Sequence, residues 1–168
     1  SGSDFTGPGD NGDLDITHDV TIIGLGADLL TIDAQGESHI FTIGEGVFAS
    51  TISGLTLTGG RNTAGGALLN LGTLTIRDSV FHGNQATFHG GAIENFADLT
   101  VIGSTFYNNT AAQDGGAIDN FQGGARSSEL SLALINSTLS GNSAGNDGGA
   151  IFRSNAGEVN IVSSTITG

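Results

Sequence analysis

The chain has 168 residues, only 4 Lys or Arg against 17 Asp or Glu side chains, and a formal net charge of −13. So few cations exclude a nucleic-acid surface, because each neutralised phosphate needs a basic group. The absence of cysteine excludes disulfides, thiol catalysis and cysteine-ligated metals. No stretch approaches the roughly 18 apolar residues of a membrane-spanning helix, so we expect no membrane insertion by this segment. Because the sequence contains no Met, we expect a processed product or a segment of a larger protein.

Residues 1–13 are polar and glycine-rich, and we expect them to form a cap or linker. Asp10, Asp13 and Asp15 lie in or just after this segment, among Asn and Gly, and such side chains supply the oxygen ligands that calcium prefers. Their spacing is not that of an EF-hand loop, so a solvated turn is the alternative. Nine of the 17 acids precede residue 46, which also favours weak calcium binding near this end.

Residues 14–60 contain short apolar runs at 20–26, 29–33 and 48–60. Each run is of strand length and is bounded by Gly or Asp. We interpret this part of the chain as two coils of a repeat whose sequence has drifted from the later copies.

A clear repeat begins after these runs. A Gly-Gly-Ala-apolar motif occurs four times, starting at residues 65, 90, 115 and 148. A second series begins at Ser79, Ser104, Ser137 and Ser164 and has an apolar residue two positions later. In both series, the spacing between successive copies increases from 25 to 33 residues over the interval that contains residues 122–129. The underlying period is therefore about 25 residues, with one insertion loop at 122–129.

Apolar and polar residues alternate within each period, which indicates short strands rather than helices. Three short strands per period, joined by Gly- and Asn-rich corners, predict one coil of a parallel β-helix. The predicted fold is all-β, a right-handed parallel β-helix (solenoid) of about six coils that forms one domain at residues 14–168. The predicted apolar columns are Leu74, Leu99, Leu132 and Val159; Ile76, Val101, Leu134 and Ile161; Phe81, Phe106, Leu139 and Ile166; and Leu68, Ile93, Ile118 and Ile151.

Glycine and asparagine have structural roles in this prediction. Glycine provides the positive φ or the close backbone approach that a corner needs. Asparagine tolerates the left-handed region, and its amide can bond the amides above and below it. The two predicted asparagine ladders are Asn70, Asn95 and Asn120, and Asn84, Asn109 and Asn142.

The repeats resemble those of polymorphic outer membrane proteins, whose signatures are Gly-Gly-Ala-Ile and Phe-x-x-Asn. The first signature is matched at 90–93, 115–118 and 148–151, and the second at 81–84 and 106–109. The departures are Leu68 for Ile, Leu139 for Phe, and the loss of Asn at residues 57–60. The resemblance covers residues 20–168. It implies a non-enzymatic bacterial protein that is secreted or displayed on the cell surface, often adhesive, with no catalytic residues to transfer.

The resemblance and the open edges of the last coil together suggest partners. Open parallel edges pair with a complementary edge, so we expect self-association head to tail into a fibre. Continuation of the coils in a longer rod is the alternative. An adhesive role further implies a host-surface or glycan ligand.

Parallel β-helices also include polysaccharide lyases and hydrolases, so the acidic residues need separate consideration. The register places Glu94 and Asp119 one coil apart, where repulsion raises a pKa or recruits a cation. A pair of solvated carboxylates on the side of the rod is the alternative. His89, Asp114 and Asp147 each precede a Gly-Gly-Ala motif and form either a metal site or an acidic corner.

No arginine is placed beside these groups by the register, although lyases need a strong base. We therefore predict no enzymatic activity and no required cofactor, with calcium as the candidate ligand of Glu94 and Asp119. The alternative function is carbohydrate binding or cleavage, in a groove bordered by the insertion at residues 122–129.

Overall fold

The computed structural model describes residues 12–121, 131–154 and 158–168. These ranges contain 22 strands and no helix, and hence no helix that could cross a membrane. Residues 1–11, which include most of the predicted cap and Asp10, lie outside the described residues, as do residues 122–130 with the predicted insertion loop.

The strands follow one another around six successive coils. The first coil contains β1 (Leu14–Ile16), β2 (Thr21–Ile23) and β3 (Thr31–Asp33). The second contains β4 (Phe41–Ile43), β5 (Ser50–Ser53), β6 (Thr56–Thr58) and β7 (Arg61–Ala64). The third contains β8 (Leu68–Asn70), β9 (Leu74–Arg77), β10 (Val80–His82) and β11 (Gln85–His89).

The last three coils repeat this order. The fourth contains β12 (Ile93–Asn95), β13 (Leu99–Ile102), β14 (Thr105–Tyr107) and β15 (Thr110–Ala111). The fifth contains β16 (Ile118–Phe121), β17 (Ser131–Ile135), β18 (Thr138–Ser140) and β19 (Ser143–Ala144). The sixth contains β20 (Ile151–Ser154), β21 (Glu158–Val162) and β22 (Thr165–Thr167).

Equivalent strands of successive coils stack into four parallel sheets. Sheet A contains β1, β4, β8, β12, β16 and β20. Sheet B contains β2, β5, β9, β13, β17 and β21. Sheet C contains β3, β6, β10, β14, β18 and β22. Sheet D contains β7, β11, β15 and β19.

The strand register confirms the predicted repeat. Ile93 pairs with Leu68 on one side and with Ile118 on the other, which is one predicted period in each direction. Leu99 pairs with Leu132, and the number of residues between them is the longer of the two predicted spacings. A parallel β-helix of about six coils is therefore confirmed, including the longer interval, whereas its right-handed sense stays a prediction.

Sheet D is a difference from the prediction, which had three strands per coil. Its strands precede the Gly-Gly-Ala motifs and bury the small side chains of Ala86 and Ala111. They are only two to five residues long and mostly polar. Hydrophobic alternation, the signal that reveals a strand in a sequence, is therefore nearly absent from them.

Apolar columns fill the space inside the coils. In sheet C, the side chains of Leu57, Phe81, Phe106 and Leu139 stack in register and are 0% exposed. The rings of Phe81 and Phe106 are nearly parallel, with centroids 4.7 Å apart. Burying a side chain of this size contributes about 1.5–3 kcal/mol, so these columns are the main stabilising feature of the rod.

The two glycines of a Gly-Gly-Ala motif have different roles. Gly90 has a φ of +64°, in the left-handed region that other residues rarely adopt. A Cβ atom at Gly91 would lie 2.1 Å from the carbonyl oxygen of Gly116 in the next coil. The first glycine thus turns the chain, and the second allows successive coils to approach.

Both asparagine columns are hydrogen-bonded ladders. Asn70 Nδ2 donates to Asn95 Oδ1, and Asn95 Nδ2 donates to Asn120 Oδ1, each at 2.6 Å. In the second ladder, Asn109 Oδ1 accepts from Asn84 Nδ2 at 3.0 Å and from the Asn84 backbone N–H at 3.1 Å. In this second ladder, the side-chain amide oxygen of one coil therefore accepts a hydrogen bond from a backbone N–H of the preceding coil.

The conformational reason given for these asparagines is wrong. No ladder asparagine has a positive φ; Asp78, Asn108 and Asn136, at other positions, do. The ladder residues lie at inward-facing positions where an amide can meet buried backbone groups. Their side-chain hydrogen bonds, rather than a left-handed backbone, account for asparagine there.

The serines of the second repeat motif form a third ladder. The backbone N–H of Ser79 donates to Ser104 Oγ at 3.2 Å, and that of Ser104 donates to Ser137 Oγ at 3.1 Å. The backbone N–H of Ser137 donates to Ser164 Oγ at 3.0 Å. A hydroxyl at this corner therefore satisfies a backbone donor of the preceding coil.

The Asn109→Ala variant should be less stable than the wild type by about 2–4 kcal/mol. It removes the acceptor of two buried N–H donors of Asn84, and each unsatisfied buried donor costs about 1–3 kcal/mol. Urea unfolding measures the loss. Asn146→Ala, at an exposed position, is the control and should change stability by less than about 0.5 kcal/mol; equal losses would contradict the ladder.

The Gly91→Ala variant should be destabilised by about 1–3 kcal/mol or more, because the added methyl group overlaps the backbone of the next coil. Gly46→Ala is the matched control, since a Cβ atom at Gly46 meets nothing within 4 Å and its φ is not positive. Thermal unfolding of the two variants should separate them clearly. If Gly91→Ala melts at the wild-type temperature, the close approach of coils is not required.

Candidate functional site

The most unusual polar residues lie on the outer face of sheet A. One column of this face contains, in register, Asp15, Thr42, Leu69, Glu94, Asp119 and Phe152. Glu94 and Asp119 are adjacent in it, as the sequence predicts, but they are 2% and 0% exposed. The expectation of solvated carboxylates is therefore wrong, because their in-register neighbours are the apolar side chains of Leu69 and Phe152.

An imidazole and a third carboxylate complete this cluster. His89 Nδ1 lies 3.3 Å from Asp114 Oδ2 and 3.5 Å from Asp119 Oδ2. His89 is at the end of β11, and the Gly90 N–H donates to the Asp114 carbonyl oxygen at 3.0 Å, which holds the two residues together. We call His89, Glu94, Asp114 and Asp119 the acid–histidine cluster. It reaches solvent through the His89 side chain, which is 32% exposed.

Several polar atoms of the acid–histidine cluster have no hydrogen-bond partner among the described residues. They are Glu94 Oε2, both carboxylate oxygens of Asp119, and His89 Nδ1. Burial raises the pKa of Glu94 from 4.5 to about 9, with smaller contributions from the charges of Asp119 and Asp114. Burial, and then the charge of Asp114, raises the pKa of Asp119 from 3.8 to about 7. Glu94 therefore favours its protonated form at neutral pH, whereas Asp119 gains and loses its proton near neutrality.

This arrangement limits the chemistry of Glu94 and Asp119. A protonated carboxyl group is a poor calcium ligand, and a buried one cannot reach the proton of a substrate. Within the described ranges, no group of three or more His, Asp or Glu side chains is placed to hold a metal ion. Calcium binding and carbohydrate cleavage stay predictions, and the groove expected beside residues 122–129 lies outside the described residues.

Asp147, the third member of its predicted group, is not part of the cluster. Its side chain is exposed, and its backbone N–H donates to Asp114 Oδ1 at 3.1 Å. That hydrogen bond leaves the other carboxylate oxygen of Asp114 for His89. The sequence grouped His89 with Asp114 through the repeat but gave no reason to join them to Asp119.

Of the acids predicted near the N-terminus, Asp13 and Asp15 lie at the start of the first coil, whereas Glu94 lies in the fourth. Asp13 accepts a hydrogen bond from the Thr42 hydroxyl and lies 3.4 Å from His39 Nε2, with 6% of its side chain exposed. Asp15 lies on the outer face of β1 and is exposed. Asp10 lies outside the described residues. The Asp13 carboxylate is thus already in contact with the side chains of Thr42 and His39.

Sequence reasoning missed the surroundings of Asp13. His39 is 8% exposed, and its Nδ1 lies 3.2 Å from the Gly65 carbonyl oxygen. Asn62 Nδ2 lies 3.3 Å from His39 Nε2. The first two coils lack the repeat motifs, so only the strand register, which pairs Asp15 with Thr42, brings these residues together.

The fold, the ladders and the columns define the chain as a parallel β-helix repeat protein. Residues 103–120 and 136–152 match the model of the Chlamydia polymorphic membrane protein (Chlamydia_PMP) repeat. The matched stretches run through β14 to β16 and through β18 to β20, and they include the ladder residues Asn109, Asn120 and Asn142 and the Gly-Gly-Ala motifs that begin at residues 115 and 148. The resemblance found in the sequence is thereby confirmed: the match and the fold fit a β-helix of the polymorphic outer membrane protein repeat type.

Proteins with this repeat are outer-membrane or surface proteins, which supports a cell-surface location in general terms. Searches of curated proteins and of solved structures gave no match.

Proposed function

We propose that this chain is a non-enzymatic rod displayed outside the bacterial cell, where it acts as a structural or adhesive module and stacks coil upon coil into a fibre. The repeat family supports the surface location. The burial of Glu94 and Asp119, which leaves the enzymatic alternative without accessible acids at that position, supports a non-enzymatic role.

The observation that carries this proposal is the state of the two end coils. Inward-facing positions that are 0% exposed in the middle of the rod, such as Val101 and Phe106, are occupied at one end by Ile161 and Ile166, which are 45% and 46% exposed. Leu14, in the first coil, is 58% exposed. Exposed apolar columns beside strand edges that no other described strand pairs favour contact with a further coil, whether of this chain or of another copy.

The two ends are complementary when the register is continued. If the sixth coil of one copy lies against the first coil of another, Ile161 stacks on Ile22 in sheet B, and Ile166 stacks on Ile32 in sheet C. In sheet A, Ile151 stacks on Leu14 by the same rule. Each apolar column then continues across the junction, as it would in a longer rod of one chain.

Light scattering and electron microscopy of the 168-residue chain test this stacking. We expect particles longer than the roughly 30 Å of six coils at about 4.8 Å each, and more of them at higher protein concentration. The double variant Ile161→Asp, Ile166→Asp should remain single rods, because the charges enter the junction. Asn160→Asp with Thr165→Asp, on the outer side of the same strands, is the control and should still assemble. Wild-type chains that stay monomeric at high concentration would contradict head-to-tail stacking.

The adhesive part of the proposal has a specific surface. On the outer face of sheet C, the rings of His82 and Tyr107 are stacked, with centroids 4.8 Å apart. A hydroxyl-rich column runs beside them: Thr31, Thr56, Val80, Thr105, Thr138 and Thr165. Aromatic rings with polar tips and neighbouring hydroxyls suit the apolar faces and hydroxyl groups of sugars.

The Tyr107→Ala variant should therefore bind host-cell glycans about tenfold more weakly than the wild type, the effect of losing one interface anchor. A glycan array followed by titration on the best ligand measures the change. Ser140→Ala, at the next position of the same column, is the control. Equal binding by wild type and Tyr107→Ala would remove this face from the proposal.

A further inference from the structure

The acid–histidine cluster joins three coils of the rod. His89 belongs to the third coil, Glu94 and Asp114 to the fourth, and Asp119 to the fifth. We propose that the acid–histidine cluster is a proton-binding site that fastens these coils together, so that the cohesion of the rod decreases as the pH rises. Neither the repeat family nor the structural or adhesive role implies this property.

The charges around the cluster cannot be balanced without protons. The cluster contains three carboxyl groups and one imidazole, which contacts Asp114 and Asp119, and Asp119 is completely buried. Isolated charges in such a place are costly, so the group takes up a proton instead. Among the described residues, no arginine forms an ion pair with Glu94, Asp114 or Asp119. Arg153, in β20, lies in the asparagine column opposite Asn120, on the other side of the strand from Phe152.

Within the described part of the chain, strands β8 and β20 provide no hydrogen-bond donor to the carboxyl pair, and the His89 ring approaches Asp119 Oδ2 at 3.5 Å. From β8 and β20, the in-register residues beside the carboxyl pair are Leu69 and Phe152. The Asp147 N–H is used by Asp114 Oδ1. Glu94 Oε2 and Asp119 Oδ1 therefore lack a donor unless one of the two carboxyl groups carries a proton.

A proton on either carboxyl group supplies that donor. Glu94 and Asp119 are in register on adjacent parallel strands, which lie about 4.8 Å apart. A protonated carboxyl group can then donate to the carboxyl group of the next coil. The raised pKa values, about 9 for Glu94 and about 7 for Asp119, agree with this geometry.

The direction of the pH effect follows from proton binding. Between pH 4.5 and about 9, the folded chain holds a proton on Glu94 that the unfolded chain releases, and for Asp119 the range is 3.8 to about 7. The state that binds more protons is favoured at low pH. Stability from these groups is therefore present in full at acid pH and is lost as the pH rises through the two folded-state pKa values.

Urea unfolding between pH 5.5 and 8.5 tests the proposal, because ordinary carboxylates are already ionised in this window. The wild-type folding equilibrium constant should fall by up to roughly tenfold per pH unit for each proton held only by the folded chain, and thus by up to about 1,000-fold over the three-unit window for the Glu94 proton alone. Glu94→Gln and Asp119→Asn, which keep the shape and remove the ionisation, should each reduce this dependence and raise stability at pH 8.5. Glu37→Gln, at an exposed carboxyl group, is the control and should keep the full wild-type slope.

A second measurement does not depend on the folding of any variant. The infrared spectrum of the wild type in D2O should contain absorption from protonated carboxyl groups at pH 6.5, and this absorption should disappear as the pH rises. Its absence at pH 6.5, or an identical pH slope in wild type and both cluster variants, would overturn the proposal.

Calcium provides the remaining comparison. If calcium restores wild-type stability at pH 8.5 but has no effect on Asp119→Asn, the cluster binds a metal ion and the proton proposal is wrong. If calcium has no effect on either protein at pH 8.5, the result supports a proton as the ligand. Neither result bears on head-to-tail stacking, which is measured by particle length.

Discussion

Each strand residue in the middle of this rod lies beside the equivalent residue of the next coil, and this constraint of parallel stacking governs the molecule. A column is stable when its members attract copies of themselves. Phenylalanine does so by burying its ring, as Phe81 and Phe106 do. Asparagine does so because an amide is both a donor and an acceptor, as in the ladder that includes Asn95. Carboxylates repel their copies, so the same constraint that stabilises the core makes the contact between Glu94 and Asp119 depend on protons.

Much of the fold could be predicted because two independent motifs share one period. Both motifs are displaced by the same amount over a single interval, which identified an insertion rather than a change of repeat, and the pairing of Leu99 with Leu132 agrees with it. Once the period was known, the members of each apolar column followed by counting. The drifted first coils were also predicted, since strand-length apolar runs survive there without the motifs.

The chemical environment of the candidate site could not be predicted from the repeat period in this way. The period places Glu94 beside Asp119, but it does not fix the path of the chain before each Gly-Gly-Ala corner, which brings His89 to within 3.5 Å of Asp119. This path includes sheet D, whose short polar strands carry no alternation to recognise. For the same reason the contact of His89 with Asp119 was not predicted. The network of His39 and Asp13 lies in coils without motifs.

The longer interval between β13 and β17 has a consequence for how such a rod can change. All the added length is accommodated between two strands, β16 and β17, and the residues on either side keep their columns, since Ile118 pairs with Ile151 and Val101 with Leu134. An interval of this kind can change in length without shifting the columns on either side of it. Segments of different length can therefore be exchanged between β16 and β17, by evolution or by design, while the stacked strands stay the same. The repeat thereby separates the part of the chain whose length can vary from the part whose register keeps the rod folded.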